Sequence, residues 1–163
     1  MMVQIRNIQK EDNEQVAKLI RNVFDEHNAP QTGTVYSDST TDNLFAFFQK
    51  ERSIFWVAAV GNEIVGCCGI YPTEGLPGNC AELVKFYILK KARGQGIGKT
   101  LMEKSIASAI EMGYSEIYIE SLPQFAHAVR IYEKQGFEKL SKPMGHSGHT
   151  SCTIWMVKIL GRK

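Results

Sequence analysis

No apolar run in the sequence approaches the ~20 residues that cross a bilayer, so no membrane span is expected. The first residues are polar, so no secretory leader is expected there either. The four cysteines, Cys67, Cys68, Cys80 and Cys152, make no C-x-x-C pair and no regular framework. A cytoplasmic protein with reduced thiols is therefore the expectation. Charge of one sign is scarce too. The net charge is +2, and only one glycine-rich stretch gathers basic residues, which argues against a nucleic-acid partner. The chain has no internal repeat, low-complexity block or linker. Its 163 residues, 44% of them hydrophobic, suffice to bury a core and read as one domain over 1–163.

What is present centres on Arg93-Gly94-Gln95-Gly96-Ile97-Gly98-Lys99. The run Glu82 to Leu89 before it is short, apolar and partly β-branched or aromatic, as in a buried strand. After it, Ile97, Leu101, Ile106 and Ile110 fall close to helical spacing, with Lys99, Glu103 and Lys104 between them. Glycines thus stand where a strand hands over to a helix. They permit positive φ and let a ligand approach bare N–H groups. A helix start adds unpaired donors and the positive end of its dipole, which suits phosphate. The stretch matches neither G-x-x-x-x-G-K-[ST] nor G-x-G-x-x-G. It reads R-x-x-G-x-G, with Lys90 and Lys91 supplying further charge.

In chain order, Val3–Ile8 alternates as a strand, and Val16, Leu19, Ile20, Val23 and Phe24 mark one face of a helix. A polar loop follows over 25–42, then an aromatic helical segment over Leu44–Phe48. Ile54–Val60 and Ile64–Tyr71 form a hairpin about Gly61-Asn62-Glu63. Beyond the glycine loop come a helix stopped near Gly113, a strand over Ile117–Glu120, and a helix over 126–135 stopped by Gly136. Phe137–Leu140 and Cys152–Ile159 read as the last strands, joined by a Gly/His loop over 143–149. The order β-α-α-β-β-β-α-β-α-β-β argues a mixed sheet with helices packed on it.

The glycine loop resembles the pyrophosphate loop of the GCN5-related N-acetyltransferase (GNAT) superfamily. Ala128-Val129-Arg130-Ile131-Tyr132-Glu133-Lys134-Gln135-Gly136-Phe137 resembles that family's A-x-x-x-Y-E-x-x-G-F segment. With the element order, the resemblance covers essentially the whole chain. It implies the GNAT α/β (α+β) fold: a mixed, mostly antiparallel sheet, helices on both faces, and a splayed strand pair that holds the cofactor. It implies acetyl-coenzyme A (acetyl-CoA) as donor, its diphosphate held by the backbone of Gly94, Gln95, Gly96, Ile97, Gly98 and Lys99 beside Arg93. The backbone of Phe86, Tyr87 and Ile88 would pair with the pantetheine arm, and Ile88 N–H would donate to the acetyl oxygen. Tyr132 takes the family's tyrosine position as proton donor to the departing thiolate. Glu120 and Glu82 both stand where the family places catalytic carboxylates, and either would act as base through a water. One departure is Phe125, where some members carry an asparagine; it could pack on the cofactor, with Gln124 as a substitute polar contact.

Outside those motifs, His146, His149 and Cys152 lie three and three apart, but the loop is Gly/Ser-rich and no fourth ligand is adjacent, so no metal is expected. Cys67 and Cys68, adjacent on a strand, point to opposite faces as small core residues. Lys85, mid-strand among apolar neighbours, either snorkels or reaches a substrate carboxylate. The expected activity is transfer of an acetyl group to a primary amine, small-molecule or peptide, by direct attack in a ternary complex. Loops 25–42 and 143–149 would wall the acceptor pocket. The alternatives are a non-catalytic acetyl-CoA sensor and a nucleotide-binding module. A homodimer is compatible with the sequence, and no membrane partner is expected.

Overall fold

The computed structural model describes residues 2–161. Strand β1 (Gln4–Asn7) leads through a 3-10 turn into helix α1 (Asn13–Glu26). Arg6 grips Asp12 in that turn with two bonds, at 2.7 and 3.0 Å. The apolar stripe Val16, Leu19, Ile20, Val23 and Phe24 is buried, as its helical spacing requires. The expected aromatic helix is a single turn, α2 (Leu44–Phe47), preceded by a 3-10 segment over Ser39–Asn43. Asn43 caps α2 by accepting the Ala46 N–H. Then come β2 (Ile54–Val60), β3 (Glu63–Tyr71), β4 (Cys80–Ile88), α3 (Ile97–Glu111), β5 (Glu116–Ser121), α4 (Ala126–Lys134), β6 (Glu138–Lys139) and β7 (Ile154–Ile159).

The strands form one sheet in the order β1-β2-β3-β4-β5-β7-β6. Every neighbouring pair is antiparallel except β4 with β5. Helices α3 and α4 cover one face through Leu101, Met102, Val129 and Tyr132. Helices α1 and α2 cover the other through Val16, Ile20, Phe24 and Leu44. Cys68 belongs to the first cluster and Cys67 to the second, so the pair does straddle the sheet. β6 is shorter than Phe137–Leu140, because Phe137 turns into the core and its N–H bonds Tyr132 C=O at 3.0 Å.

Two features of β4 shape the cleft beside it. Its parallel pairing with β5 runs from Cys80↔Glu116 to Glu82↔Tyr118 and stops there. Beyond Glu82 the two strands diverge, which frees one edge of β4. The pairing with β3 is irregular as well. Tyr87 sits opposite Cys67 and Val84 opposite Gly69, so β4 carries one residue more than β3 between those pairs. Ala81 and Leu83 pack on the α3 face and Val84 on the α1 face; Phe86 then returns to the α3 face. The added residue is Lys85, left-handed at φ 57°. That conformation costs on the order of 1–2 kcal/mol for a residue with a side chain. Such a bulge re-aims a side chain and locally bends and twists its strand.

Candidate active site

The diverging strands open a cleft of about 610 Å³. Its walls include Tyr87 and Ile88 from β4, Gly94, Gly96 and Lys99 from the glycine loop, and Phe125. Gly94 and Gly96 are left-handed at φ 77° and 81°. A Cβ built on either meets no atom within 4 Å, so bare backbone borders open space there. Gly96 is the N-cap of α3, whose first N–H groups have no partner within the helix. Lys99 has no carboxylate partner among the described residues, leaving its charge for an anion. Arg93 is engaged otherwise. Its Nε donates to Ile88 C=O at 3.0 Å, and its two terminal nitrogens bond Glu26 at 2.6 and 2.8 Å. It anchors the loop to α1 and β4. Ile97 is core, Gly98 packs beside Phe86, and Gln95 reaches Lys91 C=O at 3.4 Å.

The cleft narrows to a space of about 40 Å³ where Glu82, Tyr87, Glu120, Phe125, Tyr132 and Cys152 meet. Beyond it lies a second cavity of about 470 Å³, sharing Glu82, Val84, Lys85 and His149 with the narrow space. A cleft, a pinch and a second cavity therefore adjoin through the splayed strands. The sequence-derived residues converge on the pinch. Tyr132 is buried against Phe86 and Phe137, and burial pushes its phenol above the ordinary range, so it stays protonated. Glu82 is 3% exposed and accepts the Thr73 hydroxyl at 2.7 Å. Burial, reinforced by the neighbouring Glu120, pushes its carboxyl up to about 7 against the opposing bond from Thr73.

Glu120 is held differently. It accepts hydrogen bonds from the Tyr118 hydroxyl at 2.8 Å and from the Ser147 hydroxyl. Glu82, Glu120 and His149 bring their ligand atoms within 4.8 Å of one another, and no His146-His149-Cys152 set forms among the described residues. His149 Nε2 lies 3.2 Å from Asp38, whose carboxyl is held far below its ordinary range, first by that bond. This contact joins the two loops expected to wall an acceptor pocket. Cys152 is no activated nucleophile: burial pushes its thiol up to about 12.

Sequence reasoning missed Thr73, Asp38 and Ser147, whose roles depend on loops meeting in space. Tyr118 was within reach, because residues two apart on a strand share a face and Tyr118-x-Glu120 carries that spacing. Gln124 is exposed, and the cleft wall near Phe125 is built with His127 instead. Phe125 packs edge-on to Phe24 and Tyr87.

The model of the acetyltransferase (GNAT) family matches residues 20–137. An uncharacterized N-acetyltransferase of Escherichia coli, YjgM, is 31% identical over 96% of this chain and 94% of its own. Among solved structures, a GNAT-family acetyltransferase of Staphylococcus aureus superposes with a TM-score of 0.86 at 21% identity, covering 98% of this chain and 99% of that one. The PaiA N-acetyltransferase of Thermoplasma acidophilum, solved in complex with coenzyme A, gives 0.74 at 20% identity over 98% and 99% of the two chains.

Proposed function

The chain belongs to the acetyltransferase (GNAT) family, and from that premise we propose that it passes the acetyl group of acetyl-CoA directly to a primary amine in a ternary complex. The bound donor supplies an acetyl group activated as a thioester. The open backbone at Gly94 and Gly96, with Lys99 beside it, fits a diphosphate. The edge of β4 freed beyond Glu82 would carry the pantetheine arm along Phe86, Tyr87 and Ile88 as an added strand. Ile88 N–H would donate to the acetyl oxygen, and Phe125 would pack on the arm. Arg93 fixes the loop rather than meeting the diphosphate itself.

The chemistry falls to two residues at the pinch. Glu82 is the base: its carboxyl titrates near neutrality, so it can take a proton and release it again. Glu120, tied to Tyr118 and Ser147, orients the amine rather than taking its proton. Tyr132, kept protonated by burial, delivers its proton to the departing sulfur. As the N–C bond forms and the C–S bond breaks, an ammonium acceptor gives up two protons. One leaves to solvent by way of Glu82, and one replaces the proton that Tyr132 passed on.

The observation that carries this reading is the pinch itself, where a base and an acid stand between a cleft for the donor and a cavity for the acceptor. Two-substrate kinetics test it. Intersecting double-reciprocal lines, with the acetylated amine found by mass spectrometry, are expected. Parallel lines would mean an acyl-enzyme and contradict direct transfer.

A further inference from the structure

The second cavity has charge of both signs on its walls. Glu82 stands at its inner end, Lys85 beside it, and Lys50 on its exposed side. Lys85 is 5% exposed, yet its ammonium makes no hydrogen bond and no ion pair within 4.0 Å among the described residues. The nearest aromatic face, Phe47, is 5.7 Å from its nitrogen. The stem is buried while the ammonium opens onto the cavity, where a ligand that enters can meet it. Asp38 and Glu82 lie near enough for their charges to favour the ammonium, but neither comes within ion-pair distance of it. Moreover, the β4 bulge is what sends this side chain into the cavity. Without the added residue, position 85 would follow the alternation into the packed α3 face. A left-handed, strained backbone at a lysine that faces a cavity marks a functional position.

We propose that the acceptor is an α-amino acid, or a compound built like one, whose carboxylate pairs with Lys85 while its amine faces Glu82. The inference rests on the acetyltransferase reading above and names the substrate class of that same site. The cavity offers the zwitterion an anionic and a cationic wall side by side. Phe47 and Tyr71, stacked on each other at 4.1 Å with their planes 9° apart, give the same cavity an apolar wall for the side chain. Apolar and aromatic amino acids suit that wall.

Matched acceptor pairs differing only in the carboxylate test this directly: phenylalanine against phenethylamine, and leucine against 3-methylbutylamine. Spermidine and a lysine-containing peptide complete the panel. The amino acid of each pair is expected to show a kcat/KM roughly tenfold or more above its decarboxylated partner, as for loss of a charged hydrogen bond. Lys85→Met should bring that ratio close to one, with a melting curve confirming the fold. Decarboxylated amines turned over equally well, or turnover of spermidine or peptide alone, would overturn the inference and leave the acetyltransferase reading standing. Acetyl-CoA bound without turnover of any amine would remove both.

Discussion

At the scale of single residues, Glu82 links rate and stability through one titration. Its carboxyl titrates at about 7 in the fold against an ordinary 4.5. Between those values the folded state holds a proton that the unfolded chain has released, so this group's contribution to stability falls as pH rises through the window. Activity moves the other way, because the base must be ionised. kcat/KM should therefore climb to a plateau above about 7. In Glu82→Gln that limb should vanish, the rate should drop ~10²–10⁴-fold, and the pH-dependent loss of melting temperature should shrink. A pH–rate profile beside a melting series checks both signs. The sequence offers both Glu120 and Glu82 as the base, Glu120 first, and carries no record of their surroundings. What separates them is burial for one and the Tyr118 and Ser147 hydroxyls for the other, and Ser147 comes from a loop remote in sequence.

The glycine loop is the element on which donor binding depends. Gly96→Val should weaken acetyl-CoA binding by roughly tenfold or more, since its side chain would fill the open space that the bare backbone borders. Strain is controlled for by Gly61→Val in the β2–β3 turn. Gly61 is also left-handed, at φ 60°, and also meets nothing within 4 Å. Both variants should lose about 1–2 kcal/mol of stability, but isothermal titration should show weakened binding only for Gly96→Val. That loop was legible because its glycines and flanking periodicities are local. The β4 bulge was not. Glu82-Leu83-Val84-Lys85-Phe86-Tyr87 reads as a plain strand, and only the register with β3 reveals the added residue. The aromatic run Leu44–Phe48 was legible as a short helical segment, α2 ending one residue earlier with Phe48 as its C-cap, whereas the placing of its rings was not. Phe47 and Phe48 pack on Tyr71 and Phe55, so tertiary contacts rather than helical periodicity place them.

Over the whole molecule, two apolar clusters lie on opposite faces of one sheet, and every neighbouring strand pair is hydrogen-bonded. We therefore expect residues 1–163 to unfold as one domain. Far-ultraviolet circular dichroism and tryptophan fluorescence should trace coincident denaturant transitions, with Trp56 on β2 and Trp155 on β7 reporting from separate parts of the sheet. Asp38→Asn should loosen the contact between the loops that meet through His149 and raise KM for the acceptor more than for acetyl-CoA, measured by varying each in turn. The element order was readable from end to end, because glycine stops and apolar spacing punctuate it. The two loops were expected on one pocket, but the Asp38–His149 pair that joins them was not legible, since no local pattern records a contact 111 residues apart.

The most direct test of the central claim is amine-dependent release of coenzyme A thiol, measured side by side for the wild-type protein and Tyr132→Phe. The variant removes the hydroxyl and keeps the ring against Phe86 and Phe137. Release that requires an amine and falls by ~10²-fold or more in the variant, with acetyl-CoA affinity retained, is the predicted result. Equal release by both proteins, or tight binding with no release from any amine, would contradict it.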